Sequence, residues 1–71
     1  MKYTVVLERG PTSWGAHVPD LAGVIAVGET RDEVEKEIAE AIRFHLDGLR
    51  EEGLAIPPPA SIAAEIEVPA A

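Results

Sequence analysis

The 71-residue sequence contains no cysteine and no long apolar run. Without cysteine the chain forms no disulfide bond and no thiolate metal site, which fits a cytoplasmic protein and removes two common supports of a small fold. No segment approaches the roughly 20 apolar residues of a membrane-spanning helix. The first ten residues alternate and turn acidic, unlike the apolar core of a signal peptide. We therefore predict a cytoplasmic protein with no membrane contact.

Basic side chains are also scarce, since six Lys and Arg stand against thirteen Asp and Glu, for a formal net charge of −7. Such a chain repels the phosphate backbone that supplies most non-specific affinity for nucleic acids. We therefore expect no direct binding to DNA or RNA. The same charge speeds encounter with a basic protein partner and selects for one. A role in solubility alone is an equally simple explanation.

Residues 30–53 carry the one long helical pattern in the sequence. Thr30 and Glu33 have the spacing of a capping box, and Gly53 followed by three prolines predicts the end of the helix. One side of this helix is apolar and the other is charged. Its length of about 34 Å exceeds the roughly 20 Å of a six-residue strand, so one end extends past the sheet. We predict that this end contacts another copy of the chain through Phe44, His45, Leu46 and Leu49.

Four short segments have the alternating or β-branched pattern of strands. Three of them precede the helix, at residues 2–8, 14–18 and 24–27, and are separated by turns at Gly10 and at residues 19–23. The fourth follows the prolines, where the apolar residues Ile62, Ala64, Ile66 and Val68 alternate with Ala63, Glu65 and Glu67. We therefore predict a single α+β domain over residues 1–71 with the order βββαβ, in which the helix covers one face of an antiparallel sheet.

Few residues in the sequence are candidates for catalysis or metal binding. Glu8, Glu65 and Glu67 form a magnesium site if the first and last strands are neighbours, but a solvated outer sheet face explains them more simply. His17 and His45 lack the spacing of metal ligands, and no serine or threonine lies in a nucleophile motif. We therefore predict no catalytic residue, no metal and no cofactor.

Three short motifs resemble those of a known family. Residues 14–23 are WGAHVPDLAG, residues 28–30 are GET and residues 57–59 are PPP. In residues and spacing these are similar to HicB-like antitoxins, which have an aromatic residue in the second strand, a PDLPG turn, a G-D/E-T start to the helix and a proline-rich exit. The resemblance covers nearly the whole chain. The sequence departs from the family pattern at Ala22, Val24 and Val34.

The resemblance implies a βββαβ domain similar to part of the RNase H fold, which forms homodimers or larger oligomers. It also implies that the chain neutralises a small basic HicA-type mRNA ribonuclease by covering its catalytic face. Many members carry a further DNA-binding module, which we do not expect within these 71 residues. The partner contacts we predict are Trp14, His17, Asp20 and Leu21.

Three alternatives stay open at this point. Trp14 is either a core residue or a contact for a partner, because tryptophan is common in both places. The chain as a whole is either a toxin-masking protein or a solitary oligomeric adaptor or regulator that has no toxin. A metal-dependent nuclease that uses Glu8, Glu65 and Glu67 is the third alternative.

Overall fold

The computed structural model describes residues 1–70, in which the order of elements is β1 (Val6–Arg9), β2 (Trp14–His17), β3 (Ile25–Gly28) and α1 (Arg31–Glu51). The three strands form one antiparallel sheet in the order β1-β2-β3. The helix packs mainly on β3 and β2. The predicted α+β class, with an antiparallel sheet and one long helix, is confirmed.

The start of α1 is fixed by the predicted cap. The hydroxyl oxygen of Thr30 accepts a hydrogen bond of 3.1 Å from the backbone N–H of Glu33. The Glu33 carboxylate in turn accepts a bond of 3.1 Å from the N–H of Glu29. The reciprocal bond of a capping box is therefore displaced by one residue from its usual donor, the N–H of the cap itself.

The end of α1 depends on a glycine with a left-handed backbone. Gly53 has a φ of 69°, and its N–H donates to the carbonyl of Arg50 at 3.1 Å. The N–H of Leu54 donates to the carbonyl of Leu49 at 2.8 Å. These two bonds are those of a Schellman motif, which satisfies carbonyls that the helix itself leaves free.

The core lies between α1 and the sheet. On the helix the buried side chains follow an i, i+4 row through Val34, Ile38 and Leu46, with the half-buried Ile42 between them. Such a row forms one continuous ridge on a helix. The apolar side that the sequence predicts for the helix is a stripe with Leu46 at one edge and Phe44 at the other, and Phe44 is 82% exposed. The other buried core residues are Ala16, Val18, Leu21 and Val24.

Residues 62–68 do not form the predicted fourth strand, which corrects one element of the predicted order. Within the described part of the chain this segment belongs to no strand and makes no backbone hydrogen bond. Ile62 is 90% exposed, Ile66 79% and Val68 73%. An alternating pattern forms a strand only where a neighbouring edge satisfies its backbone groups, and no strand within residues 1–70 pairs with this segment.

Candidate partner-binding surface

The two residues of β2 that we predicted to contact a partner lie on opposite faces of the sheet. His17 is exposed on the face away from α1, where it stands opposite Val6 of β1 and Ile25 of β3. Trp14 has the same orientation as the buried Ala16 and packs, half-buried, against the core. His17 therefore belongs to an open surface, whereas Trp14 supports that surface from within.

The open surface, which we call the outer face, consists of Val6, His17, Ile25 and Val27. Ile25 is 67% exposed and Val27 is 65% exposed. Strand pairing places Ile25 beside His17, and His17 beside Val6, so the apolar side chains flank the imidazole. An exposed apolar patch that surrounds a polar group is typical of a binding surface.

Ile25 and Val27 were missed in the sequence, although a signal for them was present. Residues 24–27 are all apolar, a pattern that normally indicates a strand buried on both faces. One helix covers only one face of a sheet. Alternate residues of such a run must therefore lie on the face that α1 does not cover, as Ile25 and Val27 do.

Leu21, another predicted contact, is part of the core. Its side chain is only 1% exposed and packs among the buried residues under α1. Almost none of its surface is accessible to a partner. Its role in the structure is to fix the turn between β2 and β3.

The carboxylate of Asp20, another predicted contact, accepts hydrogen bonds from residues of its own chain. One carboxylate oxygen accepts hydrogen bonds of 2.8 Å from the backbone N–H groups of both Ala60 and Ser61, and the other accepts one of 2.8 Å from the Ser61 hydroxyl. The pKa of Asp20 is held below its ordinary value, chiefly by the Ser61 N–H and then by the Ala60 N–H and the Ser61 hydroxyl, while desolvation acts in the opposite sense. The carboxylate thus fastens the segment that follows the prolines.

The four residues predicted for an oligomer interface differ widely in exposure. Phe44 is 82% exposed, His45 and Leu49 are half-buried, and Leu46 is a core residue with 7% exposure. Among these four, Phe44 alone offers a large apolar side chain fully to solvent. Self-association through this end of α1 stays a prediction, and the burial of Leu46 removes it from the accessible surface.

The carboxylates considered for a metal site are not gathered. Within residues 1–70 no three His, Cys, Asp or Glu side chains lie close enough together to hold a metal ion. Glu8 lies on β1, whereas Glu65 and Glu67 lie on the exposed segment after Ser61.

Within residues 1–70 no helix is long and apolar enough to cross a membrane.

These features define a small acidic α+β protein with an uncovered apolar sheet face. The sequence model of the HicB-like antitoxins of bacterial toxin–antitoxin systems matches residues 3–70. The chain belongs to this HicB-like antitoxin family, which confirms the resemblance seen in the sequence.

A similar protein is the uncharacterised 14.9 kDa protein of the rep–hol intergenic region of Haemophilus phage HP1, strain HP1c1. The two are 32% identical over 57 residues, which are 80% of this chain and 43% of the phage protein. The alignment therefore spans about two fifths of that relative's length. No solved structure matches the chain significantly.

Proposed function

We propose that the chain is a binding module that neutralises a small basic HicA-type ribonuclease by masking it, and that it is not an enzyme. The observation that carries this proposal is the family match over residues 3–70. The net charge of −7 supports it, because complementary charge speeds encounter with a basic protein and disfavours other partners. In this proposal residues 1–71 act as one cytoplasmic domain that self-associates, uses no cofactor and does not bind nucleic acid directly.

The surface proposed for the toxin is the outer face. Its exposed apolar side chains, Ile25 and Val27, gain about 25 cal/mol for each Å² that a partner removes from water. His17 lies among them, and its imidazole offers a polar group that fixes the orientation of the bound partner. Of the contacts predicted in the sequence, His17 keeps its role in this proposal. Trp14 and Leu21 pack on the helix-facing side of the sheet, where they stabilise the sheet and the turn between β2 and β3.

The test is co-expression with a small basic protein encoded by the neighbouring gene, followed by size-exclusion chromatography and an RNA-cleavage assay. We expect the two proteins to co-elute and cleavage to stop. Independent elution of a well-folded pair would contradict the masking function and favour an oligomeric adaptor without a toxin.

A paired substitution locates the toxin-binding surface. Ile25→Thr with Val27→Thr keeps the β-branched shape but removes apolar surface, so toxin affinity should fall at least about tenfold, which corresponds to about 1.4 kcal/mol. The matched control, Leu54→Thr, removes apolar surface from a 53% exposed position that lies outside both the outer face and the segment after Ser61. It should leave toxin affinity unchanged. Equal losses in both variants would place the toxin elsewhere.

A further inference from the structure

A groove of about 380 Å³ lies between the first strand and the helix. Val5 and Leu7 line it on the sheet side, and Ile38, Ala39 and Ile42 line it on the helix side. The groove exists because α1 packs mainly on β2 and β3 and so leaves the helix-facing side of β1 partly uncovered. The charged side chains of Arg31 and Glu35, which are 3.5 Å apart, also line it, and the rest of this slot beside the strand is apolar.

The strand beside this groove has a free edge. β1 pairs with β2 on one side, and among residues 1–70 no strand pairs with its other side. Such an edge presents backbone N–H and C=O groups that another extended segment can bind. Leu7 belongs to β1 and also lines the groove, so the free edge and the groove form one site.

Residues 62–68, which we call the tail, have the pattern that this site requires. In an extended conformation Ile62, Ile66 and Val68 share one side, whereas Glu65 and Glu67 share the other. The apolar side suits the groove and the acidic side suits water. At about 3.3 Å per residue the tail spans about 23 Å, which equals the length of the extended residues 3–9.

The beginning of the tail is fixed to the body of the chain. The Thr4 hydroxyl donates a hydrogen bond of 2.7 Å to the carbonyl of Ser61, next to the three bonds that Asp20 accepts. The Tyr3 hydroxyl donates to the carbonyl of Pro57. The anchored segment contains three consecutive prolines, which stiffen it. The point from which the tail leaves the domain is thus well defined.

Beyond this anchor the tail is exposed, and the chain as a whole is elongated. The Cα radius of gyration is 14.3 Å, compared with about 11 Å for a compact chain of this length, and the longest dimension is 51 Å. The tail's large apolar side chains are all more than 70% exposed. Its apolar side is therefore accessible to a second molecule, and no residue of the tail lines the groove of its own chain. A second copy carries the same groove and the same free edge, so a dimer with two-fold symmetry would contain this contact twice.

We propose that two copies of the chain exchange tails, so that the tail of each pairs with β1 of the other and places its apolar side chains in the groove between β1 and α1. The fourth strand that the sequence pattern predicts is then supplied by the partner. This inference deepens the self-association named in the proposed function. It does not depend on which toxin is bound.

The first experiment distinguishes exchange between chains from closure within one chain. Because the natural sequence has no cysteine, Ala39→Cys in the groove and Ile66→Cys in the tail each create a unique thiol. The two variants are co-expressed with different tags and treated with a short bis-maleimide. We expect a covalent dimer that carries both tags. Ala63→Cys, on the tail's other side, is the matched control and should cross-link less to Ala39→Cys.

A chain that carries both Ala39→Cys and Ile66→Cys gives the complementary result. Exchange predicts cross-linked dimers at every dilution at which the dimer persists. Cross-links confined within single chains would show that the tail closes on its own groove and would overturn the proposal. The absence of any cross-link between groove and tail would overturn it as well.

The second experiment measures association of the 71-residue chain by native mass spectrometry at micromolar concentration. We expect a dimer for the parent chain. Ile66→Asp places a charge in the apolar groove and should raise the dissociation constant at least about tenfold. Ala63→Asp adds the same charge on the solvent side and should stay dimeric. A monomeric parent, or an Ile66→Asp variant with the same dissociation constant as the parent, would contradict tail exchange, whereas toxin co-elution reports on the masking function separately.

Discussion

Asp20 and Ser61, 41 positions apart, are joined by two hydrogen bonds of 2.8 Å, one to the Ser61 backbone N–H and one to its hydroxyl. Asp20 lies in the turn between β2 and β3, beside the buried Leu21. Ser61 immediately precedes the tail. The PDLAG turn, which stands where the family pattern has PDLPG, therefore connects the core of the sheet to the starting point of the exposed segment.

Removal of the Asp20 carboxylate should release this connection. In Asp20→Ala the amide protons of Ala60 and Ser61 lose their acceptor, so they should exchange with solvent faster while the helix amides stay protected. Hydrogen exchange followed by NMR measures both. Asp20→Asn keeps one acceptor oxygen and should give an intermediate rate. Unchanged exchange at Ala60 and Ser61 in Asp20→Ala would contradict the role we assign to this carboxylate.

The same connection should respond to acid. Because folding lowers the pKa of Asp20, its stabilising contribution is complete above the ordinary aspartate value of about 3.9 and is lost as the pH falls through the lowered pKa. The amide chemical shift of Ser61, followed by NMR during acid titration, should therefore change only below that ordinary value. Asp20→Asn should abolish the transition. A midpoint above the ordinary value would contradict the assigned hydrogen bonds.

Leu21 and His17 should respond in opposite ways to truncation. Leu21→Ala removes a fully buried side chain and should lower the free energy of unfolding by about 2–5 kcal/mol, as measured by urea denaturation. A domain this small has little stability to lose, so a variant that is fully unfolded and has no helical circular dichroism agrees with the same prediction. His17→Ala, at an exposed position, should change stability by no more than about 0.5 kcal/mol while weakening toxin binding.

The assignment of Leu21 to the core and of His17 to the toxin-binding surface requires that Leu21→Ala lowers stability and that His17→Ala lowers toxin affinity. A stable Leu21→Ala variant with weakened toxin binding would return Leu21 to the set of partner contacts. A strongly destabilised His17→Ala variant would show that the outer face contributes to the fold itself.

The helix cap gives a prediction that is independent of any partner. Thr30→Ala removes the hydroxyl that accepts from the Glu33 N–H and should cost about 1 kcal/mol of stability. Thr30→Ser keeps an acceptor at the same position and should cost much less. Urea denaturation of both variants measures the difference. An equal loss in the two would show that the hydroxyl is not the stabilising group.

Much of the architecture was readable from the sequence because its signals are local. The hydroxyl of Thr30 and the left-handed Gly53 mark the ends of α1 through contacts that span a few residues, and these ends are confirmed. The alternating or β-branched segments before the helix predicted all three strands of the sheet, although β1 begins at Val6 and not at Lys2. Propensity, capping and turn formation depend on residues that are close in sequence, so they can be predicted from the sequence alone.

The sequence alone therefore determined the elements, their order up to the helix and the acidic charge of the chain. Tertiary structure decided which edge of the helical stripe is buried, because Leu46 and Phe44 flank the same stripe and only packing on β2 and β3 distinguishes them. It also decided that Asp20 holds Ser61, a contact between positions too far apart for any local pattern to reveal. The tail shows the same limit: its alternation makes a strand possible, but a strand forms only when it pairs with a neighbouring edge, and no strand of the described residues pairs with the tail.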